Sequence, residues 1–199
     1  MEVSFLKQAE IFSFLALIFL LAVVFMEIDR EKNPPVIILK DDLYKFELGK
    51  AIINEPFKKR FRDYEINRLI NARKDCKCDI LEVIGHTDGV PVKEANRSNL
   101  DRVVVKSYFR KSLADVIPGS NADLGLMRSI AVIQLIRAYS NDYPELKKIK
   151  YFLPYSAGQL ILLDGSISPP SQSYMMNENE RRRIEIRLRR KVKNKYFGT

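Results

Sequence analysis

Between Ile11 and Met26 the only polar residue is Ser13, and such a run must be hidden from water along its whole length. As a helix, the stretch from Ala9 to Ile28 rises roughly 30 Å, the thickness of a hydrocarbon core, with Glu10 and Glu27 at its edges. A cleaved leader would need a basic front, a shorter apolar run and small residues at a cleavage site. Here the run is followed by Glu27-Ile28-Asp29-Arg30, so residues 1–28 are expected to be a retained transmembrane anchor. Lys7 before the span and Arg30 and Lys32 after it are too evenly balanced to set orientation by the positive-inside rule.

With 199 residues and 46% hydrophobic content, the chain has enough material beyond that span for one packed domain. Residues 29–35 close on Pro34-Pro35 and read as a linker, residues 36–192 as the domain and residues 193–199 as a basic tail. Even about ten residues of such chain, fully extended, cover only some 35 Å, which keeps the domain close to the membrane.

The net charge of +9 permits a nucleic acid, a lipid surface or another polyanion as partner. Much of the excess is local: Arg181, Arg182, Arg183, Arg187, Arg189, Arg190, Lys191, Lys193 and Lys195 crowd the C-terminus, where a solvated strand face and a basic tail explain them. Few aromatics interleave with these cations, and nucleic acid is therefore disfavoured. Cys76 and Cys78 are the only cysteines and His86 the only histidine, a poor set for zinc, so no metal and no cofactor is expected. A bridge across one residue would be strained, leaving free thiols or an intermolecular bridge open.

The periodicities predict a strand at Val36–Leu39 and a helix carrying Phe57, Phe61, Tyr64, Leu69 and Ile70. A strand at Ile80–Ile84 follows, then a helix over 123–139 capped by Asn121 or Asp123. Tyr151–Tyr155 and Leu160–Leu163 are short strand candidates. In the last strand Ile184, Ile186 and Leu188 alternate with Arg183, Glu185, Arg187 and Arg189. This order implies an α+β fold with helices on one side of a mixed sheet.

Gly85-His86-Thr87-Asp88 leaves the second strand, and Asn121-Ala122-Asp123-Leu124-Gly125-Leu126-Met127-Arg128 opens the following long helix. A carboxylate and a guanidinium at such an edge suit a ligand with both charges, because arginine offers a fork for a carboxylate. The alternative for Asp88 and Arg128 is an internal ion pair. His86 lacks a neighbouring nucleophile or second ligand and reads as a structural residue of the turn, where Thr87 is expected to hydrogen-bond locally; an enzyme is not expected.

These residues resemble the OmpA-like family, the peptidoglycan-binding domain shared by outer-membrane protein A, Pal lipoproteins and the flagellar stator subunit MotB. Phe46-Glu47-Leu48-Gly49-Lys50-Ala51 is similar to the family's Phe-x-x-Gly-x-Ala, and Gly85-His86-Thr87-Asp88 matches its Gly-His-Thr-Asp in full. Asn121, Leu124 and Arg128 match its Asn-x-x-Leu-Ser-x-x-Arg-Ala, with Gly125 and Ser129 replacing Ser and Ala. Arg182-Arg183-Ile184-Glu185-Ile186 is similar to Asn-Arg-Arg-Val-Glu-Ile.

The resemblance implies a β-α-β-α-β domain that binds peptidoglycan. Asp88 would take the ammonium and Arg128 the carboxylate of a diaminopimelate side chain, and Asn121, Thr87 and Arg182 complete the expected binding set. Two departures stand out. The segment 89–120 is an insertion relative to the family's shorter loop, expected to form a helix or hairpin over the pocket, and Ser156-Ala157-Gly158-Gln159-Leu160 replaces a Gly-Glu-rich loop.

Gln8-Ala9-Glu10-Ile11-Phe12-Ser13 is in turn similar to the Tyr-Ala-Asp-Leu-Met-Thr that opens the single span of MotB-type subunits. Glu10 stands in place of the proton-accepting Asp and is the expected proton relay; the alternative is a glutamate that snorkels to the interface. The resemblance implies a membrane-anchored peptidoglycan-binding protein that is the MotB-like stator subunit of a proton-driven complex in the bacterial inner membrane, with a periplasmic domain, a homodimeric state and a polytopic MotA-like channel subunit as partner. Two alternatives are a passive tether between membrane and wall, and a binder of nucleic acid or another anionic polymer through the basic C-terminus.

Overall fold

The computed structural model describes residues 2–32, 35–40, 42–47, 49–93, 97–110, 112–169 and 181–191. Helix α1 runs Glu2–Lys32, and its stretch Gln8–Met26 is long and apolar enough to cross a membrane, with no part of that stretch buried by the rest of the chain. The helix continues through residues 29–32, the first part of the expected linker. Charged helix-formers there carry on the turn begun by the apolar run, and the extended reach to the domain is correspondingly shorter.

The domain is α+β. Strands β1 (Ile37–Lys40), β2 (Ile80–His86), β3 (Tyr151–Gly158) and β4 (Arg183–Arg189) form one mixed sheet in the order β1-β4-β2-β3. β2 and β3 are parallel, joined through α5 (Asn121–Tyr139), whereas β4 enters between β1 and β2 antiparallel to both. The register aligns Leu81 with Leu188, Val83 with Ile186 and Gly85 with Ile184, so these residues share the face that meets the helices.

Against that face lie α5 and a second helical segment made of α2 (Glu55–Arg60), a π-helical turn Phe61–Glu65 and α3 (Ile66–Cys76). Asn54 caps α2 by accepting the Phe57 N–H at 2.9 Å, and Pro56 occupies the first turn, where its missing N–H costs nothing. Phe57 and Phe61 are fully buried and join an aromatic row from Tyr44 to Tyr139. Each fully buried side chain of this size contributes about 1.5–3 kcal/mol of burial free energy.

Helix α3 ends at Lys77, whose φ of 51° puts it in the left-handed region, and Cys76 and Cys78 are joined as a disulfide across that turn. The pairing corrects the expectation of free thiols or an intermolecular bridge: the left-handed residue brings the two Cα atoms to 5.1 Å. Arg190, just past β4, donates to the Cys76 carbonyl through Nε and Nη2, at 3.3 and 2.7 Å, and so places a cation at the α3 C-terminus.

Two further expectations are corrected. Leu160–Leu163 is not a strand; the chain folds back through a single bridge between Ile161 and Ile167, with Gly165 in the left-handed region supplying the turn. The N-cap of α5 is neither Asn121 nor Asp123 but Ser120, which is extended (φ −152°) and accepts the Asp123 N–H at 3.1 Å. The inserted segment contains α4 (Leu100–Arg110), whose Leu100, with Val116, packs on Ala51 and Met127 in a small second core.

Candidate functional site

At the C-terminal end of β2 the chain turns outward through Thr87 and Asp88, while α5 starts beside it and β4 arrives from the other direction. Helix and strand meet this closely because both carry glycine: a Cβ on Gly85 would lie 2.0 Å from the Gly125 carbonyl oxygen. The first turns of α5 are thereby drawn onto the strand end that presents Asp88.

Around this junction lies a cleft of about 340 Å³ whose walls include Lys50, Asp88, Lys93, Asn121, Arg128 and Arg182. Asp88, Asn121, Arg128 and Arg182 are thus brought together from three separate parts of the chain. Thr87 is not among the lining residues. Its backbone N–H donates to the Gly158 carbonyl at 2.8 Å, and its buried hydroxyl has no hydrogen-bond partner among the described residues, contrary to the local bond expected of it.

Asp88 is 4% exposed, and its carboxylate accepts from Arg182 Nη1 at 2.9 Å and from the Val90 N–H at 3.2 Å. Its ion partner is therefore Arg182. Arg128, only 3% exposed, donates from Nε to the Lys50 carbonyl at 3.1 Å and lies 5.0 Å from the Phe46 ring centre. Asn121 donates its side-chain amide to the carbonyls of Asp88 (3.2 Å) and Val90 (3.1 Å), fixing the loop that carries the acid. The inserted segment furnishes one wall through Val90, Pro91, Val92, Lys93 and Pro118, and α4 itself packs elsewhere.

Four cations and one carboxylate among the lining side chains bias the cleft toward a ligand with an acidic end. Lys50 and Lys93 are lining residues beyond those the sequence singles out. Lys50 lies inside the Phe46-to-Ala51 motif, which was the available signal, whereas Lys93 belongs to an insertion with no pattern to read.

His86 lies outside the cleft. It is buried, with Nε2 3.1 Å from Glu185 Oε1, although its N–H is not aligned for a full hydrogen bond. Arg183 approaches the same oxygen at 3.0 Å, and Arg187 donates to Oε2 at 2.7 Å. The His86 contact, helped by Arg187 and the charge of Arg183 against the opposing effect of burial, holds the Glu185 carboxyl down to about 2. Burial pushes the Arg183 guanidinium down from its usual value.

This cluster corrects the reading of β4 as a solvated face at its N-terminal half. Arg183 donates to the carbonyls of Leu162 (3.0 Å) and Ile161 (3.5 Å), and Arg181 donates to the Gln159 carbonyl, so the loop after β3 is drawn over them. Arg189 completes the pattern by pairing with Glu82 at 2.8 Å. Arg182 and Arg183 are therefore paired inside the fold, whereas the pairs made by Arg187 and Arg189 are half-exposed. The tail at 193–199 lies outside the described residues.

No family model matches the chain, and no curated relative does. Solved structures with a similar outline include a MotB-like protein from Desulfovibrio vulgaris, at 14% identity and a TM-score of 0.44, over 78% of this chain and 75% of that one. The periplasmic domain of Helicobacter pylori MotB gives 15% identity and a TM-score of 0.45, over 80% of this chain and 78% of that one.

Proposed function

We propose that the chain is a single-pass protein of the bacterial inner membrane whose periplasmic domain binds the diaminopimelate end of wall peptides without catalysing a reaction. The observation that carries this reading is the convergence of Asp88, Asn121, Arg128 and Arg182 on one cleft. A zwitterionic amino-acid end needs a carboxylate for its ammonium and a guanidinium for its acid, and Asp88 keeps acceptor capacity beyond Arg182 and the Val90 N–H. Oxidised Cys76 and Cys78 accord with a compartment outside the cytosol.

In this reading the span does more than tether. Glu10 lies at the N-terminal edge of the apolar stretch, exposed on α1, where helices of a polytopic channel subunit could enclose it in a homodimeric, proton-driven assembly. Loss of ion-dependent function in Glu10→Gln, with the complex still assembled, separates this role from a passive tether. The reading through the basic C-terminus is weakened by the internal pairing of Arg182, Arg183, Arg187 and Arg189.

The test of wall binding is co-sedimentation of the detergent-solubilised full chain with purified sacculi, with Arg128→Lys and Asn121→Ala checked for folding alongside. Binding by the wild type that free diaminopimelate competes away, and that Arg128→Lys loses, supports the proposal. A folded wild type that stays in the supernatant overturns it.

A further inference from the structure

The sheet has two ends with opposite chemistry. β2 runs from Ile80, opposite Arg189 and Tyr151, to His86, opposite Arg183, so about 20 Å of strand separates them. The cleft is at the His86 end. Strand β1 is antiparallel to β4 and runs from Ile37, opposite Ile186 at mid-sheet, to Lys40, opposite Arg183, so its direction is from the Arg189 side toward the cleft end. Only four residues separate Lys32 from Ile37, so at most about 17 Å of chain joins the anchor helix to the start of β1. Helix α1 also meets the domain at α3, the helix that terminates at the Arg189 end.

This anchor-side end is basic. The α3 C-terminus, the start of β3 and the end of β4 are tied together: Lys150 and Tyr151 donate their N–H groups to the Asp79 carbonyl at 2.8 and 3.1 Å, and Lys191 donates its own to the Asp79 carboxylate at 2.8 Å. Lys74, Lys77, Lys147, Lys150 and Lys191 are all exposed on this rim. Among the nearby carboxylates Glu82 is engaged by Arg189 (2.8 Å) and Glu145 by Arg73 (2.7 Å) and Lys148 (2.6 Å), while Asp75 is exposed on the rim and is outnumbered there by the five lysines. Tyr151, 41% exposed, lies under the Lys191 ammonium at 4.9 Å, an amphipathic pair suited to a headgroup layer.

We infer that this rim docks on anionic lipid headgroups of the membrane that α1 crosses, holding the domain with its cleft turned away from the bilayer. The inference rests on the membrane-spanning reading of α1. A lipid surface fits better than a soluble polyanion because the tether already holds the rim within a Debye length or two of the headgroups, where several lysines act together. Docking in this orientation fixes which way the cleft points without any contact to the cleft itself.

The experiment reconstitutes the full chain in nanodiscs of phosphatidylcholine alone or mixed with phosphatidylglycerol. Lysines are pulse-labelled with a soluble amine reagent and quantified by mass spectrometry. Anionic discs are expected to lower labelling of Lys74, Lys77 and Lys150 by about threefold or more, reversibly with high salt, while Lys50 and Lys93 at the cleft end stay unchanged. In a Lys150→Glu, Lys191→Glu variant the protection of Lys74 and Lys77 is expected to vanish.

Equal labelling in the two disc types overturns the inference, as does protection of Lys50 and Lys93 instead. Protection of the rim by a DNA oligonucleotide but not by anionic discs also overturns it and makes a soluble polyanion the partner. A chain that fails to enter discs at all removes the membrane-spanning reading itself, an outcome distinct from inserted protein without lipid-dependent protection.

Discussion

Gly85 and Gly125 touch backbone to backbone: a Cβ on Gly125 would lie 2.8 Å from the Gly85 carbonyl oxygen and 2.3 Å from Ser156 Oγ. This contact seats α5 on β2 and β3 and thereby brings Asn121 and Arg128 to the strand end bearing Asp88. The space a side chain at position 125 would need is filled by Ser156 and the Gly85 backbone.

Gly125→Ala is accordingly expected to cost about 1–3 kcal/mol of stability, and Gly85→Ala more, because its obstacle is backbone that cannot rotate away. Adding Ser156→Ala should recover part of the Gly125→Ala loss and none of the Gly85→Ala loss. Urea unfolding of the single and double variants measures all of these.

Asp88 depends on Arg182. With Arg182→Ala, a nearly buried carboxylate keeps only the Val90 N–H among the partners described here, and the loss should approach about 3 kcal/mol. Combining it with Asp88→Asn should restore much of that stability while leaving sacculus binding absent. A double-mutant cycle in urea, with sedimentation in parallel, separates the two effects; additive losses would show that the pair is not coupled.

Glu185 makes stability pH-dependent in one direction. Its carboxyl titrates near 2 in the folded chain against 4.5 as the ordinary value, so the unfolded chain binds the proton first. The stabilisation is complete above pH 4.5 and declines as pH falls toward 2. Glu185→Gln should be less stable at neutral pH and show a flatter slope across that acidic window in thermal unfolding followed by circular dichroism.

The Cys76–Cys78 bridge closes a loop across a single residue, and so short a loop removes little entropy from the unfolded chain. Reduction should therefore lower stability by no more than about 1–2 kcal/mol and leave the fold cooperative. Melting with and without a reductant checks this, and collapse on reduction would assign the bridge a larger role.

Several features were legible in the residues alone because neighbours along the chain encode them. The apolar run to Met26 specifies a helix that can cross a membrane, since no other element hides every backbone group in hydrocarbon. The alternation of Ile184, Ile186 and Leu188 specifies a strand and its core face, and the stripe of Leu124, Met127, Ala131 and Leu135 specifies the long helix. Asp88 lies just past the end of one such element and Arg128 in the opening turns of another.

Other features were decided only when distant segments met. Arg182 becomes the partner of Asp88, 94 positions away, because β4 enters the sheet antiparallel between β1 and β2, and no local pattern sets that order. The same insertion puts Glu185 beside His86 and lets the loop after β3 cover Arg183, turning charges that read as solvated into a buried cluster. Side-chain periodicity reports which face of an element is apolar, whereas strand order, the close Gly85–Gly125 approach and the choice of ion partner depend on the free energy of the whole assembled core.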